Sequence, residues 1–191
     1  MIRNLLFIGM AALFSLIVGA QSKTTSQPVV DLPQSMSPIP SPAGKWILVP
    51  ECGWECSERK LWIENDVSHV RRLVRSYVRT LNVSWAPDGH LFFVNDRYLS
   101  NGANCYVFEP TSLEVTDVAR LLAVGDPSAL KYLKAGHSYL VAKRWVASRE
   151  LLVVLYGHFE DPLGRKFTLS YRINLNGTVR RLSERPREDP Q

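Results

Sequence analysis

The residues able to do chemistry are three cysteines, Cys52, Cys56 and Cys105, four histidines, His69, His90, His137 and His158, and two adjacent acidic pairs, Glu160-Asp161 and Glu188-Asp189. A zinc site needs about four ligands. Cys52 and Cys56 flank Gly53-Trp54-Glu55, but no second close cysteine pair accompanies them and the histidines are scattered, so neither a metal nor a cofactor is expected. In an oxidising compartment an odd number of cysteines leaves one unpaired or paired to another molecule. A local disulfide between Cys52 and Cys56, stapling a hairpin tip, is the preferred pairing. A bond from either one to Cys105 stays open, because spacing alone does not fix connectivity. No Gly-x-Ser-x-Gly elbow and no Cys and His neighbourhood supplies a nucleophile with its base, and Gly136-His137-Ser138 is not such an elbow. Adjacent acids in loops read as solvated turn residues, whereas the carboxylates of a glycosidase converge in space.

What remains is recognition. The stretch from Asn95 to Asn104 is polar with an aromatic in its middle. Asn95, Asp96, Ser100 and Asn101 could hydrogen-bond a sugar or a peptide while Tyr98 offers a stacking surface. The same residue types also make ordinary turns.

The elements that must position this loop begin after an export signal. Arg3 gives a positive start, Leu5 to Val18 an apolar core, and Val18-Gly19-Ala20 the small residues of a cleavage site. Residues 1–20 therefore read as a signal peptide, and the apolar run is shorter than the roughly 20 residues that span a bilayer. No membrane span is expected after cleavage, and the expected location is periplasmic or extracellular. Residues 21–43, rich in Gln, Ser, Thr and Pro, read as a linker in which Pro28 to Leu32 could add one edge strand. Residues 44–184 form one domain, and residues 185–191 a loose tail. The formal net charge of +5, one less without Arg3, is too mild for a nucleic-acid partner, and the cluster Arg71, Arg72, Arg75 and Arg79, like Arg180 and Arg181, reads as solvated strand faces.

Three related segments emerge inside that domain. The first opens with Ser41-Pro42-Ala43-Gly44 before Lys45 to Val49, and the second with Trp85-Ala86-Pro87-Asp88-Gly89 before His90 to Val94, 45 residues later. The third opens at Trp145, in register with Trp85 at a spacing of 60, without the Pro and Gly. Each opening is followed by matching apolar runs, such as Leu61-Trp62-Ile63, Cys105-Tyr106-Val107-Phe108 and Phe167 to Tyr171. Tight-turn sequences alternate with Val, Ile, Phe, Tyr and Trp runs suited to a half-buried sheet. The fold class is all-β, with each repeat a four-stranded antiparallel unit, as in propeller blades. Between the second and third repeats, Asp126 to Gly136 predicts one short helix, with Asp126 as its N-cap, Pro127 at its first position, Gly136 in a left-handed closing conformation and Leu130 and Leu133 packing on a sheet. Residues 70–81 have helical as well as strand spacing, and their Val, Tyr and Thr content favours strands.

At these residues the chain resembles the WD40-like propeller repeats of the periplasmic Tol-Pal system, whose turn reads Trp-Ser-Pro-Asp-Gly before an apolar strand. Trp85 to Gly89 carries the match best. The resemblance implies an exported, partly propeller-like protein that binds something, with no catalytic residue to carry over. Three repeats are too few for a closed ring, which raises the expectation of a homodimer forming six blades. The function expected is a non-catalytic binding or scaffolding module of the cell envelope for a protein partner, with a glycan as another possible ligand. The alternative is a secreted hydrolase acting on glycans or peptides.

Overall fold

The computed structural model describes residues 26–53 and 58–186. The stretch expected to be a signal peptide, Cys56 and residues 187–191 lie outside the described residues. Strand pairing starts inside the stretch assigned to a linker, because Val30 and Leu32 find apolar partners. β1 (Val30–Leu32) pairs antiparallel with β6 (Thr80–Trp85), and Leu32 is fully buried.

Three antiparallel units of four strands follow one another. The first is β2 (Ile39–Pro40), β3 (Trp46–Cys52), β4 (Arg59–Asn65) and β5 (Arg71–Tyr77). The second is β6, β7 (Phe92–Arg97), β8 (Gly102–Phe108) and β9 (Val115–Asp117). The third is β10 (His137–Ala147), β11 (Glu150–His158), β12 (Lys166–Asn174) and β13 (Val179–Pro186). A short parallel pairing of Ser138 and Tyr139 with Gly102 and Ala103 joins the second unit to the third. Residues 70–81 are the strands β5 and β6 with a two-residue turn between, and β13 runs two residues past the end at 184 drawn from the sequence.

The middle sheet is apolar on both faces, which decides the stacking. Side chains alternate along a strand, so Phe92 and Val94 join the core shared with Leu48, Leu61 and Ile63 of the first sheet. Phe93 points the other way, with Cys105 and Val107, into the core shared with Leu140, Trp145 and Val153 of the third. Phe92, Phe93 and Val94 are all fully buried, and each side chain buried this way contributes about 1.5–3 kcal/mol.

The repeat shows in hydrogen bonds as well as in sequence. Trp85 Nε1 donates to the carbonyl of Ile39 at 3.0 Å, and Trp145 Nε1 donates to the carbonyl of Ser84 at 3.1 Å. Ile39 and Ser84 occupy equivalent places in β2 and β6, so each tryptophan bonds to the first strand of the preceding sheet. The first repeat has Pro40 at that position, and among the described residues no sheet precedes it to accept a bond. The turns repeat too: Gly44 and Gly89 sit at φ +68° and +71°, and each donates its N–H, at 2.9 Å, to the carbonyl three residues before it. At Gly89 a Cβ would lie 2.7 Å from the backbone nitrogen of Ala43, so the second turn rests directly on the first.

In the third repeat the register changes after its tryptophan. Trp85 pairs with Phe92, but Trp145 pairs with Leu151, and the pairing shifts between Trp145 and Ala147. The turn is one residue shorter, so the offset of 60 holds at Trp145 and not along β11.

Between the second and third sheets there are two helices where the sequence predicted one. α1 (Val118–Gly125) follows β9 directly and is capped by Asp117, whose side chain accepts from the N–H groups of Ala119 and Arg120. Asp126 then caps a 3-10 turn over Pro127–Ala129, accepting from Ser128, and α2 (Leu130–Leu133) completes the segment. Tyr132 anchors α2, its ring tilted against Phe159 and Phe167 with centroids at 5.8 and 5.0 Å, whereas Leu130 is exposed. Gly136 does not adopt the left-handed conformation expected of it. A Cβ there would meet the Glu160 side chain at 2.2 Å, so what Gly136 allows is close approach.

Asp126 also ties this segment to the last strand through Arg181, at 2.7 Å. Burial works to raise the Asp126 pKa, but the Ser128 hydroxyl and the Arg181 guanidinium outweigh it and hold the carboxyl below its ordinary 3.8. A depressed aspartate stabilises the fold above its unfolded pKa and loses that contribution as pH falls through the folded value. Two outcomes follow. Trp85→Phe and Trp145→Phe should each cost about 1–3 kcal/mol in urea unfolding, because a buried carbonyl loses its donor. Asp126→Asn should lower stability at neutral pH and flatten the acid limb of the stability profile below pH 4, measured by thermal melts across pH.

Candidate functional site

The loop singled out in the sequence divides at Arg97. Asn95 and Asp96 belong to β7 and are buried, at 2% and 3% exposure. Asn95 Nδ2 donates to the carbonyl of Ala142 at 2.9 Å, and its Oδ1 accepts from the Ala142 N–H at 2.8 Å. The side chain thereby acts as a strand partner for β10 at a place where no backbone reaches. Asp96 accepts from Arg75 at 2.5 Å, and the guanidinium lies 4.9 Å from the centre of the Tyr106 ring. These two residues bolt the middle sheet to its neighbours, one on each face, with their side-chain polar atoms engaged in doing so.

Beyond Arg97 the loop turns outward. Tyr98 is about half exposed and its hydroxyl lies over Gly102, where a Cβ would come within 2.8 Å. The carbonyl of Ser100 accepts from the Tyr139 hydroxyl, and Asn101 is held twice: its Nδ2 donates to Gly136 at 3.1 Å and its carbonyl accepts from Ser138 N at 3.0 Å. Tyr98 and Asn101 line a cleft of about 250 Å³ together with Asn104, Ser138, Leu133 and Ala119. Ser100 lies outside it. The cleft is smaller than the roughly 300–1,000 Å³ of pockets that enclose a drug-sized ligand, and its size and mixed lining suit one side chain or one sugar ring.

Half of this cleft was invisible from the sequence. Ser138, Leu133 and Ala119 come from β10, α2 and α1: the parallel pairing of β10 with β8 brings Ser138 to the loop, and the packing of α2 on β10 and of α1 on β8 brings the other two. The histidines are also less scattered than their numbering suggests: His137 and His158 are cross-strand partners whose rings stack at 4.0 Å. Tyr139 and Tyr156 stack beside them at 5.1 Å, with Arg97 Nη2 donating to the Tyr156 hydroxyl at 3.2 Å. Among the described residues no three His, Cys, Asp or Glu side chains converge on a point that could hold a metal. Cys105 carries a free thiol, fully buried between the second and third sheets, and burial pushes its pKa up to about 12. The bond from Cys105 that the sequence left open is therefore not made.

Three of the four clustered arginines are likewise engaged, and Arg79 is exposed. Arg71 pairs with Glu64 at 2.5 Å, Arg72 donates to the carbonyl of Pro110, and Arg75 holds Asp96. The Arg71 and His69 side chains hold the Glu64 carboxyl below the usual range.

With this architecture in place the likeness to solved structures can be weighed. No protein-family model and no curated protein matches the chain. The β-propeller domain of the Trilobed protease from Pyrococcus furiosus, described as having an open velcro topology, superposes with a TM-score of 0.50 at 15% identity, over 77% of this chain and 42% of that one. The fold is propeller-like. An acylaminoacyl peptidase from Pyrococcus horikoshii (TM-score 0.49, 16% identity, 86% of this chain and 26% of that one) and TolB from Acinetobacter baumannii (0.39, 15%, 82% and 32%) are also similar. The chain spans less than half the length of each. A partial propeller of three blades is what the stacked sheets describe, and no helix among the described residues is long and apolar enough to cross a membrane.

Asn95→Ala should cost about 2 kcal/mol or more, because it leaves a buried N–H and a buried carbonyl of Ala142 unpaired. Tyr98→Ala should change stability by less than about 1 kcal/mol, as exposed positions do. Denaturant midpoints of the two variants compared with the parent chain separate the scaffold from the cleft.

Proposed function

We propose that this chain is an exported, non-catalytic binding module of the cell envelope, and that its propeller-like blades hold a protein partner at the cleft beside Tyr98. The observation that carries the reading is the cleft itself, where half-exposed Tyr98 and the polar edge of Asn101, Asn104 and Ser138 meet the apolar Leu133 and Ala119. A small mixed site of this kind recognises one side chain of a peptide held against the blade rim. A hydrolase would need acids gathered and unengaged, whereas Asp96, Asp126 and Asp161 are bound to Arg75, Arg181 and Arg165.

The export reading rests on Arg3, the apolar run to Val18 and the small residues ending at Ala20. It agrees with a Cys52 to Cys56 disulfide closing the turn between β3 and β4, whose last pair is Cys52 with Arg59. The repeats are of the WD40-like type of the periplasmic Tol-Pal propeller proteins on the strength of the Trp85 to Gly89 turn, in which the tryptophan spans two blades and the glycine supports their contact.

Expressed in a bacterial host, the chain should be recovered outside the cytoplasm beginning at Gln21, with one titratable thiol per denatured molecule. Peptides selected on it from a random library should bind at least tenfold more weakly to Tyr98→Ala and be recovered uncut by mass spectrometry. Retention in the cytoplasm, binding indifferent to Tyr98, or cut peptides would each overturn the corresponding part.

A further inference from the structure

Among the described residues the two terminal sheets each leave one face without a neighbouring blade, and these faces differ in charge. Cross-strand partners in an antiparallel sheet place their side chains on the same side. On the third sheet Arg144 pairs with Leu152, Leu152 with Arg172, and Arg172 with Arg180. All three arginines are exposed, and they form one row across the four strands on the face turned away from the core. With strands about 4.8 Å apart, Arg172 and Arg180 are immediate neighbours and Arg144 lies roughly 10 Å away. Like charges directly opposite each other destabilise a sheet. Among the described residues no carboxylate pairs with any of the three, although Arg181, one residue along and on the opposite face, has found Asp126. A cost left uncompensated among the described residues points to an anion supplied from outside them.

We propose that this face, together with the open edge of β13, is the docking surface for an acidic, extended segment of a partner protein. Three features select that occupant. The row supplies three cations with no carboxylate partner. Leu152 and Val154, half-buried, and Leu182, exposed, lie beside it and suit a segment that alternates carboxylate with apolar side chains. β13 ends the sheet and pairs only with β12 among the described residues, so its outer backbone groups can extend the ladder to one more strand. A carboxylate on that added strand would stand opposite Arg180. A second copy of this chain fits less well. Glu64 on its first sheet is already held by Arg71 and His69, and Glu58 by Lys60, so a dimer that covered the row with that sheet would set exposed Glu51 of β3 against three arginines and desolvate more cations than it pairs.

This inference rests on the binding role proposed above and names a second surface for the same kind of partner. The test uses the purified chain and a fluorescent acetylated peptide of four Val-Glu repeats, followed by anisotropy at low and at 0.3 M salt, on the order of concentrations that screen exposed charges. The peptide should bind, weaken with salt, and lose at least tenfold in affinity to Arg172→Glu/Arg180→Glu. Arg172→Thr, a milder variant, should keep or raise the melting temperature while weakening the peptide at least threefold. Affinity unchanged in both variants would overturn the proposal, as would a melting temperature that falls with Arg172→Thr, which would assign the row to the fold. Tighter binding of a sulfated oligosaccharide than of the peptide would replace the protein segment with a glycan. A wild-type dimer in sedimentation that becomes monomeric in the double variant would replace it with a second copy. Peptide binding that depends on Tyr98 but not on the arginines would remove this face and leave the binding module intact. A chain that binds no peptide at either surface would remove both.

Discussion

Everything in this fold depends on a middle sheet that must be apolar on both sides. A strand in such a sheet cannot follow the ordinary alternation of apolar and polar residues, because each of its faces is an interior. β7 meets the requirement with consecutive Phe92, Phe93 and Val94, all fully buried and pointing alternately to the first and third sheets. Where the apolar run ends, the burial does not. Asn95 and Asp96 continue the alternation as polar residues, one satisfied by the backbone of Ala142 and the other by Arg75. Buried polar groups are tolerated only when fully paired, so these contacts set the relative positions of the three sheets as tightly as the hydrophobic packing does.

The tryptophan contacts show how the same solution is used twice. Packing an indole between two blades buries a large apolar surface, and its single N–H then needs an acceptor. The first strand of the preceding blade supplies one, at Ile39 and again at Ser84. The interval between acceptors follows the 45-residue repeat, so the motif read in the sequence as a turn signal is also an inter-blade hydrogen bond. The third repeat keeps the tryptophan and shortens the turn, which moves its β11 side chains by one position and places Leu151, Val153 and Leu155 against the middle sheet.

A stack of three blades leaves two faces and a rim, and both proposed docking surfaces lie there. The Tyr98 cleft lies at the junction of the second and third blades, where the start of β10, still paired with β11, also pairs with β8. The arginine row lies on the outward face of the third blade. Neither surface can be understood from one repeat alone, since the cleft draws on α1 and α2 and the row draws on four strands.

The sequence by itself determined the four-stranded antiparallel unit, its threefold repetition and the turns at Gly44 and Gly89, because turn chemistry and side-chain alternation are local properties, whereas the strand near Val30 was only one option for a stretch read as a linker. It also singled out the loop that lines the cleft. Only the tertiary structure decided which polar residues of that loop serve the scaffold, because Asn95 and Tyr98 differ in role through what lies opposite them and not through their type. It also decided that α1 forms after β9, where the run from Val118 reads equally well as a continuing strand until Asp117 caps it and the neighbouring sheets bury Val118 and Leu122. The stacked His137 and His158 and the aligned arginines belong to the same class, since they result from strand register, and register is set by contacts between segments far apart in the chain.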